Sequence, residues 1–336
     1  MSSTHYPRAL VTGATGSVGP KLVNRLCEEG YKIRTLSIDE MEPDLFPNNV
    51  EVHVGDITDE AIVKTAMEGI GVVFHLAALL HITNPSKFQE REYTRVNVTG
   101  TKTLVEAAVK AKVTRLVYFS TISVYGSSNS RIITESTQPR PDTIYAKTKL
   151  SAERLILDAL NKEGKPLGVV LRLGAIYGSR VRGNYKRFVH SLASNRFFPI
   201  GKGKNRRTLI HDKDAVLAAI LASQHPSAAG KIYNVTDGQF HSVNEIIKAI
   251  CQALGRNPPK LFLPLGPVKM ALNLVDVIAG FLGISSFGLK NALFKYCEDI
   301  AVDGSLIMKE LGFRPKYDLF KGWKETIQEM RKKGYL

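Results

Sequence analysis

The chain of 336 residues predicts an α/β fold: a doubly wound parallel sheet with a smaller C-terminal α/β domain. Three observations predict it. Continuous apolar, β-branched runs alternate with amphipathic stretches through the first half, as strands buried on both faces do. A glycine-rich turn, VTGATGSVG, follows the first run and opens the first amphipathic stretch. Beyond about residue 175 the regular alternation weakens. The expected division is therefore 1–175 and 176–336, with part of the second free to cross back to the sheet.

The strands are expected at 8–12 (RALVT), 32–37 (KIRTLS), 50–54 (VEVHV), 71–76 (GVVFHL), 115–120 (RLVYFS) and 168–173 (GVVLRL). Between them, 17–30 and 97–111 carry helical periodicity, as does the stretch around 142–162. The second half holds a short strand at 231–235 and helices at 212–223, 242–254 and 318–333. LFLPLGPVKMALNLVDVIAGFLG (261–283) is long and apolar. Two prolines, three glycines, Lys269 and Asp276 interrupt it, and a charge in mid-span costs about 2.5–3.5 kcal/mol. It is expected as a helix packed in a core or interface, not as a stable membrane insertion.

Hydrophobic residues make up 44% and charged residues 23%, the balance of an ordinary soluble protein. The start, MSSTHYPRALVTG, has no signal-peptide apolar run. Cys27, Cys251 and Cys297 lie far apart without metal-ligand spacing. They are expected as buried thiols in a reducing, cytoplasmic setting, with no metal site. The net charge of +15 admits nucleic acid, a membrane surface or a small anion. No basic run interleaved with aromatics supports nucleic acid. The densest basic cluster, SRVRGNYKRF…IGKGKNRR, reads equally as a solvated loop face and as an anion site.

The glycine turn is the first chemical signal. Gly13, Gly16 and Gly19 lie between a strand and a helix, with Thr15, Ser17 and Val18 supplying the intervening backbone. Such a turn needs glycine where bare backbone approaches a pyrophosphate, and the helix N-terminus offers that anion unpaired N–H groups. Ser17 is the expected N-cap, with Pro20 in the first turn. The first half is thus a Rossmann-type NAD(P)-binding domain. An acid at the tip of the second strand would bind the adenosine ribose and select NAD. Asp39 stands twenty residues past Gly19, yet strand register puts Ser37 at the tip. NAD is expected and NADP stays open. Asp56, with Ile57 beside it, reads as a contact to the adenine amino group or as a turn cap. Ala77 and Ala78, ending the fourth strand, are small enough for a cofactor to lie on the backbone.

TIYAKTKLSAERLI (143–156) then places Tyr145 and Lys149 four apart, on one helix face. Alone, the pair would read as a lysine stem over an aromatic ring. Beside a dinucleotide turn it reads as chemistry. A tyrosine, with pKa near 10, becomes a base at neutral pH only if the phenolate gains about 4 kcal/mol. An ammonium and a positively charged nicotinamide could supply that. Lys149 would also hold the nicotinamide ribose. Thr121, at the end of the fifth strand, would offer a hydroxyl to the reacting oxygen, or serve only as a strand-end turn residue. His75 is expected in the core, and His81 on a surface loop, with contact to a substrate as the other reading.

TGATGSVG, GDIT, HLAA, NVTGT, STISVYG and YAKTK resemble the extended short-chain dehydrogenase/reductases, in particular the NAD-dependent epimerase/dehydratase group, over nearly the whole chain. The resemblance implies a cofactor turn at Gly13, Gly16 and Gly19 and a catalytic set of Thr121, Tyr145 and Lys149. It implies that Asn97 orders the site through backbone and water contacts. The second half resembles nucleotide-sugar enzymes, which implies that Arg207 binds a diphosphate and Asn184 the nucleotide end. One departure stands out: many epimerases carry asparagine where LRLGAIYG has Gly174. The function so implied is a nucleotide-sugar 4-epimerase working through a 4-keto intermediate. A 4-keto-sugar reductase, a 3-beta-hydroxysteroid-type dehydrogenase and a non-catalytic redox-sensing protein are the alternatives. Lookalikes are commonly homodimers, which would make 97–111 and 142–162 the interface helices.

Overall fold

The structure is a computed structural model that describes residues 7–80, 86–127, 131–180, 183–281, 293 and 295–336. Seven strands form one sheet: β1 (Ala9–Thr12), β2 (Ile33–Ser37), β3 (Glu51–Val54), β4 (Val72–His75), β5 (Arg115–Thr121), β6 (Gly168–Leu173) and β7 (Ile232–Val235). Their order is β7-β6-β5-β4-β1-β2-β3, and all pairs are parallel. The connections reverse direction between β1 and β4. A crevice opens there beyond the strand ends, the place where such sheets bind ligands.

Register explains why the sheet is covered twice. Leu10, Val73 and Leu116 pair side by side across β1, β4 and β5, and Val11, Phe74 and Val117 form the next row. Successive side chains point to opposite faces. The first row packs with Val63, Leu104, Ala152 and Ile156. The second packs with Leu22, Leu26, Val216 and Ile220. Helices α1 (Gly19–Glu28) and α7 (Asp212–Gln224) therefore cover one face. On the other lie α2 (Glu60–Met67), α4 (Thr101–Lys110) and α5 (Ile144–Leu157).

The chain beyond residue 175 contributes to this sheet, because β7 pairs with β6 from Ile232↔Val170 to Val235↔Leu173. The rest builds a satellite core. Here α8 (Val243–Leu254) and α11 (Leu319–Lys332) pack through Ile246, Ile250, Ile327 and the fully buried Trp323. Three further helices are α3 (Lys87–Thr94), α6 (Asn184–Ala193) and α10 (Ser305–Leu311).

Two expectations need correction. The apolar stretch does form a helix, α9 (Leu265–Phe281), and of the two expected settings, core or interface, the core is the one that fails. From Leu265 to Val275 no residue is buried; Leu265, Val268 and Leu272 are half-buried and the others exposed. Its inward face, Leu265, Val268 and Leu272, is only one residue wide per turn. No helix among the described residues is long and apolar enough to cross a membrane. Among the cysteines only Cys251 is buried; Cys27 and Cys297 are half-buried free thiols.

Candidate active site

The glycine turn lies at the C-terminal end of β1. Gly13 has φ +67°, and a Cβ there would stand 2.7 Å from the Ala77 nitrogen on neighbouring β4's exit loop. A side chain would fill the crevice where β1 and β4 part. At Gly19 a Cβ would stand 2.2 Å from the Ala14 carbonyl oxygen, so this glycine lets α1 close against the turn. Ser17 is not the N-cap. The chain turns through 13–18 and enters the helix at Gly19, so Val18 is the N-cap and no side chain caps it. The first-turn amides are thereby left to an anion. These features fit a dinucleotide pyrophosphate. Gly13→Ala is expected to lose about 1–3 kcal/mol of stability from the left-handed backbone, and to abolish the rise in Tm on adding NAD, checked by thermal denaturation with and without it.

Ser37 ends β2, and its Oγ accepts from the Thr15 amide at 3.4 Å, tying the strand tip to the turn. Asp39 lies two residues further, exposed, with no hydrogen bond or ion pair among the described residues. Asp56 is a turn cap: its Oδ1 accepts from the Thr58 amide at 2.9 Å while Arg95 pairs with its Oδ2 at 2.8 Å. Desolvation pushes that carboxyl up, but the Arg95 and Thr58 hydrogen bonds outweigh it and hold it below its ordinary value. Ile57 is buried against Gly100, where a Cβ would come within 2.7 Å.

Asn97 is buried in a single π-type turn, Arg95–Gly100. The Leu79 amide donates to its Oδ1 at 2.7 Å; its Nδ2 donates to the Leu79 carbonyl and, at 3.2 Å, to the Thr148 hydroxyl. One side chain thus clamps the loop after β4, which contains Ala77 and Ala78, to the helix bearing Tyr145 and Lys149. His75 is core, hydrogen-bonded to the hydroxyls of Thr12 and Thr101.

Helix α5 starts at a Thr143 cap, whose Oγ1 accepts from the Ala146 amide. Lys149 is 2% exposed, and its Nζ donates to the Phe119 carbonyl at 2.6 Å and lies 4.1 Å from the Tyr118 ring centre. Burial lowers its pKa to about 7, with Glu153 partly opposing. Tyr145 is half-buried, edge-on to Tyr93 at 6.4 Å between ring centres. Burial, and then Tyr93, push its phenol up to about 12. Thr121 ends β5 two residues past Phe119; its Oγ1 donates to Ser123 Oγ and accepts from the Ser123 amide. It is therefore a turn cap by structure, with its hydroxyl at the strand tip.

The residues expected to bind substrate lie further out. Arg207, on the short strand Arg206–Arg207, donates to the carbonyls of Lys295 and Tyr296 and stands 3.9 Å from Glu298. Lys295 in turn pairs with Asp142 at 3.2 Å, three residues before Tyr145. Asn184 opens α6, while its side chain, His81 and Arg182 lie outside the described residues. The basic cluster is partly neutralised, since Arg180 pairs with Glu42 and Arg206 with Asp299. At Gly174 a Cβ would stand 3.1–3.3 Å from the Thr208 and Leu209 backbone. Close strand packing accounts for glycine there.

Sequence reasoning missed the support around the pair. Tyr93 donates from its hydroxyl to the Leu80 carbonyl and flanks Tyr145. Beneath Lys149, the Glu153–Arg172 pair is fully buried at 2.6 Å, and the Ser120 hydroxyl also donates to Glu153. A glutamate one turn past the lysine, on its own face, was the available signal.

Fold and site together define a dinucleotide-dependent enzyme of the short-chain dehydrogenase/reductase class. Residues 9–236 match the NAD dependent epimerase/dehydratase family, and the chain belongs to it. Its cofactor is NAD, as that membership requires. The UDP-glucose 4-epimerase of Vibrio cholerae is 26% identical over 324 residues, covering 95% of this chain and 94% of that one. A 3-beta-hydroxysteroid dehydrogenase of Mycolicibacterium neoaurum is 30% identical over 276 residues, covering 77% and 73%. MoeE5, solved in complex with UDP-glucose and NAD, superimposes with a TM-score of 0.77 at 27% identity, covering 97% and 99%.

Proposed function

We propose that the protein is a nucleotide-sugar 4-epimerase acting on a UDP-sugar through a 4-keto intermediate. The supporting observation is the placing of Tyr145 and Lys149 on one face of α5, with Lys149 fastened to β5 one strand from the Gly13–Ala77 crevice. Similarity to the Vibrio epimerase over almost the full length of both chains supports the same reading. NAD, which the Gly13–Gly19 turn and Lys149 would hold, would supply a reversible acceptor for the C4 hydride. Tyr145 takes the proton of the sugar 4-hydroxyl and later gives it back. Thr121 donates to that oxygen from the strand tip, and Lys149 holds the ribose and the phenolate. Arg207 and Asn184 grip the diphosphate and nucleotide, so that the freed keto sugar can turn over without leaving. The cycle is redox-neutral.

A second reading, oxidation of a 3-beta-hydroxysteroid, is favoured by the exposed apolar stretch at 261–275 and by the Mycolicibacterium relative. The two differ in electron balance. Incubating the protein with NAD and UDP-glucose or its N-acetyl form should invert C4, followed by proton NMR, without net NADH. Net NADH formed from a hydroxysteroid, with no inversion of any UDP-sugar, would replace the first reading by the second. We further propose a homodimer through α4 and α5, supported by the helix pair those elements form on one face of the sheet.

A further inference from the structure

The surface around α9 has a composition that the proposed chemistry does not use. Leu261 is 71% exposed, Met270 72% and Leu274 61%; Phe198, Phe262 and Val275 are exposed as well. On the helix, Met270 and Leu274 share one face, opposite to the half-buried Leu265, Val268 and Leu272. This helix therefore presents an apolar stripe outward as well as one inward. The stripe continues onto a second segment, because Leu263 donates to the Pro199 carbonyl and accepts from the Gly201 amide, each at 2.8 Å. Phe198 and Leu261 line one recess beside that ladder.

As far as Val275 the charges on these two segments carry one sign, and Asp276 is the single acid in α9. Residues 195–207 and 256–275 hold eight arginines and lysines and no aspartate or glutamate. Six of them, Arg196, Lys202, Lys204, Arg256, Lys260 and Lys269, are exposed and form no ion pair among the described residues. Exposed apolar side chains rimmed by unpaired cations match the interface of an anionic bilayer, where the apolar face enters the headgroup boundary and the cations meet the phosphates. A second copy of this chain would instead bring the same positive charges face to face, which disfavours a self-association surface.

We infer that α9 and the 198–204 and 260–263 segments dock the protein peripherally on an anionic membrane surface. Such docking holds whichever substrate the active site takes. The test is co-sedimentation with vesicles, which needs no turnover. The whole protein should bind equimolar phosphatidylglycerol–phosphatidylcholine vesicles and not pure phosphatidylcholine, with binding weakened by salt. Met270→Glu with Leu274→Glu, both exposed, should lower binding more than tenfold, whereas Phe320→Glu, an exposed apolar residue elsewhere, should leave it unchanged. Lys260→Glu with Lys269→Glu should lower it by at least about fivefold for each residue changed. Failure to bind anionic vesicles, or equal binding by wild type and both double variants, would overturn the proposal. So would a change of oligomeric state in the Met270/Leu274 variant by sedimentation velocity, which would assign the face to a second copy.

Discussion

Tyr145→Phe is expected to lower kcat by about a thousandfold, within the range of a lost general base, while NAD affinity and Tm stay near those of the wild type. The reason is the phenol's environment. Burial and the neighbouring Tyr93 place its pKa at about 12, so the folded chain by itself keeps the proton on. To act near neutral pH the phenolate must gain about 7 kcal/mol. Lys149 alone falls short, because its own charge is half lost at pH 7 in the same buried setting. On the proposed mechanism a positive nicotinamide would furnish much of the remainder, and the base would work only with the dinucleotide in place. The pH profile of kcat/KM should therefore show an acid limb in wild type that is absent from the residual rate of the variant. The C4 inversion assay checks the rate, and isothermal titration checks NAD binding. Full turnover by Tyr145→Phe would remove the tyrosine from the chemistry.

The fold was legible wherever a single period dominated. Strand 168–173 matches its expected bounds, and the others lie within a residue of theirs, because their apolar runs are bounded by polar turns. The Tyr145–Lys149 spacing was legible because a helix fixes which residues share a face. Four things were hidden for physical reasons. The N-cap moved from Ser17 to Val18, since the turn's path between Gly13 and Gly19 is set by contact with Ala77, sixty residues on. The resemblance pointed to Asn97, but its π-type turn and its bond to Thr148 did not show, because no periodicity announces such a widening. Apolar content identified α9 as a helix, but what covers a helix depends on the tertiary fold. Lys295 and Asp142, which join Arg207's segment to the start of α5, are 153 residues apart and carry no pattern at all.

Lys149→Met is expected to abolish turnover and yet raise stability, by about 2–4 kcal/mol near neutral pH. Lys149 titrates at about 7 in the fold against an ordinary 10.5, and burial is the main cause. That gap corresponds to about 5 kcal/mol of cost from holding an ammonium away from water. Methionine removes the charge while filling a similar volume. Against this, the Phe119 carbonyl loses its 2.6 Å donor, which returns about 1–3 kcal/mol. The sign with pH follows from proton counting. Between pH 7 and 10.5 the unfolded chain binds a proton that the fold does not, so wild-type stability from this group rises with pH across that window. Below about pH 7 both states are charged and the full cost is present; above 10.5 it vanishes. The variant's advantage should therefore be largest below pH 7 and shrink toward 10.5, measured by urea denaturation at a series of pH values. A lysine that served the structure would behave oppositely, with the variant less stable at every pH. A gain in stability joined to a loss of activity is the signature of a charge kept in an unfavourable place for the reaction.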